Sequence, residues 1–143
     1  LYDRAHRRLF LARDRFGVKP LFLAELGDGS IAFASELKGL LVLPNMPRKI
    51  RPQAIETYLA WGYLPDSHAI LEGVTKLPAG HFLLLEAGKS PGQPQRWWEI
   101  DFTTRAQGSA ADLAAELGER LRAAVRSRMV ADVPLGAFLS GGV

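Results

Sequence analysis

The 143-residue sequence contains no cysteine. Disulfides, thiolate metal sites and thiol nucleophiles are therefore excluded within it. The composition fits a reducing compartment, and a cytoplasmic protein is the expectation. Its three histidines, His6, His68 and His81, lie far apart. No His-x-x-x-His or similar spacing joins them, so each reads as structural or exposed rather than as a metal ligand. No apolar run approaches the roughly 18 residues that a membrane-spanning helix needs, so no membrane partner is expected. A strong charge of one sign is also lacking. The 18 basic and 15 acidic residues leave a net charge of +3, which describes an ordinary soluble surface. The first residue is Leu, not Met, and the opening residues do not read as a signal peptide.

What is present suffices for a core, since 48% of the residues are hydrophobic and the length corresponds to about one domain. Leu1-Tyr2-Asp3 and Leu9 to Ala12 read as a hairpin with its turn at Arg4–Arg8. Residues 8–12, 20–25 and 30–34 read as strands of an antiparallel meander, the last two joined by the hairpin turn Gly27-Asp28-Gly29. Ser35 reads as the N-cap of a helix from Glu36 to Leu43, stopped by Pro44 and Pro47. Pro52 opens a second helix that Gly62 ends. Residues 63–80 read as irregular. Phe82–Glu86 and Arg96–Ile100 read as two further strands, with a turn-rich loop between them. The character changes near residue 101. Ser109 with Asp112 resembles a capping box, and Leu113, Leu117, Leu121 and Ala124 predict a long helix to about Met129. Arg128 falls on its apolar stripe. Pro134 then precedes an apolar run, read as a buried strand, that feeds into Ser140-Gly141-Gly142. The boundary between two domains is expected at about 100–108.

Each motif also has a plain explanation. Ser-Gly-Gly after a strand suits a loop whose backbone approaches an anion, because glycine has no Cβ. By itself it could equally be a simple turn, and it lacks the Gly-Lys-Ser/Thr of a Walker loop. A phosphate loop at the last residue, with a first residue other than Met, raises the expectation of a fragment. Arg13-Asp14-x-x-Gly17-x-x-Pro20 reads better as a pinned turn than as a catalytic pair. Ser35-x-x-Lys38 matches a penicillin-recognising pattern, but Ser-Asp-Asn and Lys-Thr-Gly are absent and a cap explains the serine. Arg120, Arg122, Arg126 and Arg128 could suggest a nucleic-acid stripe. Asp112, Glu116 and Glu119 on the same helix, with no interleaved aromatics, point instead to a solvated face, and no nucleic-acid partner is expected.

Taken in order, five segments resemble the glutamine-hydrolysing asparagine synthetases of the bacterial type. They are Leu11–Leu21, Phe33–Lys38, Tyr58-Leu59 with Gly62-Tyr63-x-Pro65, Lys76–His81, and Asp132–Val143. The resemblance implies an antiparallel αββα glutaminase sandwich followed by an α/β ATP-pyrophosphatase-like domain. Residues 1–102 would be the C-terminal part of the first with its linker. Residues 103–143 would be the first helix and strand of the second. The family's glutaminase uses the amino group and thiol of an N-terminal cysteine to release ammonia from glutamine. Its synthetase uses ATP and Mg²⁺ to convert aspartate to an acyl-adenylate, which the ammonia attacks. The family's phosphate loop reads Ser-Gly-Gly-x-Asp-Ser, so Ser140, Gly141, Gly142 and Val143 map onto its first four positions, and Leu139 onto a position that contacts the nucleotide. No glutaminase catalytic residue maps onto the chain. The resemblance implies glutamine, aspartate and ATP as substrates of the parent protein, possible homodimerisation, and an inactive fragment. Two alternatives stand beside it. One is a related amidotransferase with a different acceptor acid, as in polysaccharide gene clusters or β-lactam-forming synthetases. The other is a non-catalytic truncated module.

Overall fold

The structure is a computed structural model and describes residues 1–65 and 68–138. The chain divides into two compact units, Leu1–Ile100 and Asp101–Val143.

The first unit is mixed α/β with two antiparallel sheets. One holds β1 (Tyr2–Asp3), β2 (Arg8–Ala12), β6 (His81–Glu86) and β7 (Gln95–Arg96), in the order β1-β2-β6-β7. The other holds β3 (Phe22–Glu25), β4 (Ile31–Ala34) and β5 (Val74–Lys76), in the order β4-β3-β5. Register follows from side-chain alternation. On β2 and β6, Leu9 pairs Leu85 and Leu11 pairs Leu83, while Phe10 pairs Leu84 and Ala12 pairs Phe82 on the opposite face. The first set enters a core of Leu11, Leu23, Leu77 and Leu83 that joins the two sheets. A second core, of Ala24, Leu40, Met46, Ala69, Leu71 and Val74, lies where helix α1 (Leu37–Leu41) packs beside the second sheet.

The hairpins and the antiparallel pairing agree with the sequence reading, but several details differ. The strands do not form one meander: β2 and β3 belong to different sheets, and the chain crosses between them over residues 13–21. The stretch read as irregular contains β5, whose three residues are too few to show a period. Only Gln95 and Arg96 form β7: the Trp97 N–H still donates in register to Gly80 O, but the Gly80 N–H donates to Asp14 O and returns no bond, so the ladder ends there. Helix α1 is capped at Glu36 without a side-chain bond, so Ser35 is not its cap. Helix α2 (Pro52–Trp61) matches expectation, with Pro at its start and Gly62 at φ +76 at its end, where the Gly62 N–H donates to Tyr58 O at 2.7 Å.

The crossing between sheets is held by Arg13 and Asp14. Arg13 is 5% exposed. Its Nη1 donates to Leu77 O at 2.8 Å, Nη2 to Gly17 O at 2.7 Å and Nε to Lys19 O at 3.0 Å. Asp14 does the converse, with its carboxylate accepting from the N–H groups of Phe16, Val18 and Lys19. Gly17 completes the turn at φ +64, lying against the Arg13 guanidinium. The turn is pinned, but by Arg13 and Asp14 each bonding backbone groups of the turn, with Gly17 supplying the left-handed position.

In the second unit, α3 (Ala110–Ser127) opens with a complete capping box: Ser109 Oγ accepts from the Asp112 N–H, and Asp112 accepts from the Ser109 N–H. The helix ends at Ser127, short of Met129. Residues 134–138 form no strand, and Leu135 and Phe138 are exposed, so the expected buried strand is absent from the described residues. A strand needs a neighbour for its backbone groups, and no other strand is described in this unit.

Two predictions follow from this packing. Leu77 is fully buried between the sheets, so Leu77→Ala should cost about 2–5 kcal/mol in urea unfolding. The amides of Val18 first, then those of Lys19 and Phe16, hold the Asp14 carboxyl below its ordinary value of 3.8 against opposing desolvation. Its folded-state value is depressed, so its stabilisation is present above the unfolded value and is lost as pH falls through the folded one. The stability gap between the unaltered chain and Asp14→Asn should therefore be constant above about pH 5 and shrink as pH drops below about 4, read by urea titration across that range.

Candidate functional site

The residues expected to bind nucleotide, Leu139, Ser140, Gly141, Gly142 and Val143, lie outside the described residues. What the structure describes is the approach to them. After α3 the chain turns at Arg128, whose N–H donates to Val125 O at 2.9 Å, and at Met129, whose N–H donates to Arg126 O at 3.1 Å. The segment up to Phe138 then borders the last turns of α3. Ala124, Val125, Arg128 and Met129 on one side, and Leu135, Gly136 and Ala137 on the other, line an open cavity of about 750 Å³. The cavity is largely apolar, with one cation at its wall.

That cation is Arg128, which reaches this cavity from the apolar stripe as its helical position predicts. Arg120 and Arg122 lie elsewhere on the helix and are engaged with its own carboxylates, at 2.6 Å to Glu116 and 2.7 Å to Glu119. Arg126 and Arg128 make no ion pair among the described residues. Four arginines thus divide into two that neutralise neighbouring acids and two that leave positive charge near the end of the helix. This accords with a solvated face over most of α3. The stripe itself is uncovered within this unit: no residue of α3 is buried, and Leu117, Leu121 and Val125 are all more than half exposed.

The other candidates are dispersed. His6 bonds Asp3 in the first turn, at 2.7 Å, and His81 Nδ1 lies 2.7 Å from Ala79 O. Among the described residues no group of three His, Asp or Glu side chains could hold a metal ion. Lys38 pairs with Glu36 at 2.6 Å. Sequence reasoning missed the close approach of Gly80 to Trp98. The Pro78-Ala79-Gly80 turn hinted at it, but the partner is 18 residues distant and carries no local mark.

Residues 1–98 match the family described as the glutamine amidotransferase domain, and residues 116–143 match asparagine synthase. Similar relatives include a putative asparagine synthetase [glutamine-hydrolyzing] 2 of Methanocaldococcus jannaschii. It is 36% identical over 146 residues, covering all of this chain and 28% of the relative. A putative asparagine synthetase [glutamine-hydrolyzing] of Mycobacterium tuberculosis H37Rv is 36% identical over all of this chain and 22% of the relative. An amidase chry2 of Gibberella zeae is 31% identical over all of this chain and 21% of the relative. The chain thus spans between about a fifth and somewhat over a quarter of the length of these curated relatives. The first match takes in well over half of the residues and includes both antiparallel sheets, and on that ground the chain belongs to the glutamine amidotransferase domain family, in the form carried by relatives named as glutamine-hydrolysing asparagine synthetases.

Proposed function

We propose that these residues serve an ATP-dependent asparagine synthetase, in which ammonia released from glutamine is joined to aspartate by way of an aspartyl-adenylate. The observation that carries this reading is the succession, in one chain, of an amidotransferase match over 1–98 and an asparagine synthase match over 116–143 that ends in Ser-Gly-Gly. On this reading residues 1–102 complete the amidotransferase domain and its linker, and 103–143 begin the ATP-binding domain. The outer face of the first sheet carries Phe10 and Phe82, with ring centroids 5.3 Å apart, and the half-exposed Leu84. This face suits the helical layer that an αββα sandwich would place there.

The chain's own residues would act at the nucleotide. A triphosphate needs several N–H donors converging in a small space, and Gly141 and Gly142 let the backbone supply them without a Cβ in the way. Ser140 adds a hydroxyl, Leu139 an apolar edge for the nucleotide, and Val143 continues the loop. Arg128, at the wall of the neighbouring cavity, would add positive charge close to the phosphates. Mg²⁺ would enter with them and neutralise their charge when bound. Glutamine hydrolysis needs a nucleophile this cysteine-free chain does not contain, so that chemistry would belong to other parts of the protein. The amidase among the relatives favours a second reading, the same chemistry with a different acceptor acid.

Two measurements test this. The purified 143-residue chain should release no ammonia from glutamine above a buffer blank, and measurable release would contradict the assignment of the nucleophile elsewhere. In a full-length protein carrying this chain, Gly142→Val should lower aspartate-dependent ATP–pyrophosphate exchange by about 10²-fold or more while leaving glutamine hydrolysis largely intact. Exchange near the unaltered rate would overturn the phosphate-loop assignment.

A further inference from the structure

Three segments distant in sequence meet at Gly80. Its N–H donates to Asp14 O at 2.9 Å, tying the 77–81 loop to the turn that Arg13 and Asp14 pin. Its own carbonyl accepts from Trp97 N at 2.9 Å and Trp98 N at 3.2 Å, tying in residues 95–100. The glycine is at φ +65, and a Cβ built there would fall within the van der Waals shell of the Trp98 carbonyl oxygen. Side chains reinforce the junction. Phe16 meets Trp98 edge to face with centroids 5.1 Å apart, and the Arg15 guanidinium stands 5.8 Å from the centre of the Trp97 ring. Upstream, β7 pairs Gln95 with Phe82 and Arg96 with His81.

The situation changes after Ile100. Asp101 accepts from Thr103 N, Thr103 Oγ1 and Thr104 Oγ1, a turn that bonds only to itself. Residues 101–108 are all exposed, and Gln107 Nε2 donates to Arg105 O at a long 3.5 Å. Gly108, at φ +140, precedes the cap of α3.

We propose that Gly80 is a latch that fixes residues 95–100 as a strap on the Asp14–Gly17 turn, so that hinge motion in this chain is confined to residues 101–108. The strap is a rigid extension of the amidotransferase unit. Whatever the second unit does, its movement starts from a point set by the 13–19 and 77–81 loops and not by a loose linker beginning at the end of β6. The inference rests on backbone geometry and is independent of which acceptor acid the protein uses.

Limited trypsin digestion of a full-length protein carrying this chain tests it, because Arg96 lies in the strap and Arg105 in the hinge. Arg105 should be cut rapidly and Arg96 should resist. Gly80→Ala and Gly80→Asn should each raise cleavage at Arg96 about tenfold or more and leave Arg105 unchanged. Asparagine tolerates the left-handed backbone but still carries the intruding Cβ, so it isolates the close approach. Gly73→Ala is the matched control: Gly73 has φ +73, and a Cβ there would meet nothing within 4 Å. Should the Gly80 variants fail to fold, Phe16→Ala at the exposed rim of the junction should still raise Arg96 cleavage by a few-fold. Equal cleavage at Arg96 and Arg105 in the unaltered chain would overturn the proposal. So would unchanged Arg96 cleavage in the folded Gly80 variants or, if those do not fold, in Phe16→Ala, or an equal rise in Gly73→Ala.

Discussion

The guanidinium of Arg13 sits out of water among carbonyl oxygens, and much of the first unit is arranged around keeping it satisfied. Burying a cation costs several kcal/mol unless its donors are bonded. The carbonyls that accept from it among the described residues include those of Gly17 and Lys19 on the crossing turn and that of Leu77 just past β5. The side chain therefore holds the point where the chain leaves the first sheet to the point where it returns from the second. A planar fork with donors on three nitrogens can span these oxygens at once. A lysine ammonium, a single centre, could not hold the same three positions. Asp14 takes the complementary task of accepting amides that a tight turn leaves unpaired, and no buried side-chain nitrogen or oxygen among the described residues is left without a partner.

This constraint reaches further than the turn. Leu77, whose carbonyl Arg13 holds, also donates its N–H to Leu21 O at 2.9 Å and places its side chain in the core between the sheets. Three residues later, Gly80 bonds Asp14 and accepts from both tryptophans. The polar clamp and the apolar core are thus parts of one arrangement, with the clamp fixing loop positions that let Leu11, Leu23, Leu77 and Leu83 meet.

Features whose cause is local could be read from the sequence. The Gly27-Asp28-Gly29 turn is closed by Asp28 accepting from Ser30, Pro52 and Gly62 bound α2, and Ser109 with Asp112 starts α3. The function of Arg13 and Asp14 as a pinned turn was legible from their spacing to Gly17. Features whose cause is a distant partner were not. The allocation of β2 and β3 to separate sheets depends on β6 and β5, which lie some 50 to 70 residues further along, and local alternation is the same in either arrangement. Strand β7 stops at Arg96 because the Gly80 N–H is taken by Asp14 O and returns no bond to Trp97, a contact that no pattern around Trp97 and Trp98 discloses.

The second unit shows the same limit from the other side. Helical spacing of Leu113, Leu117, Leu121 and Ala124 marks one stripe, and the helix forms with its capping box. Yet periodicity specifies which residues share a face, not what covers it. Here the stripe remains exposed, and Leu135 to Ala137 border its end across an open cavity without pairing as a strand. Arg128 lies in that stripe and shares the cavity wall with them. A helix that served only as a solvated surface would have little use for an uncovered apolar face with an unpaired cation at its end. The asparagine synthase match over 116–143 starts on this helix and runs through the Ser-Gly-Gly that follows, and on the function proposed above the face would serve for packing and the cation for phosphate.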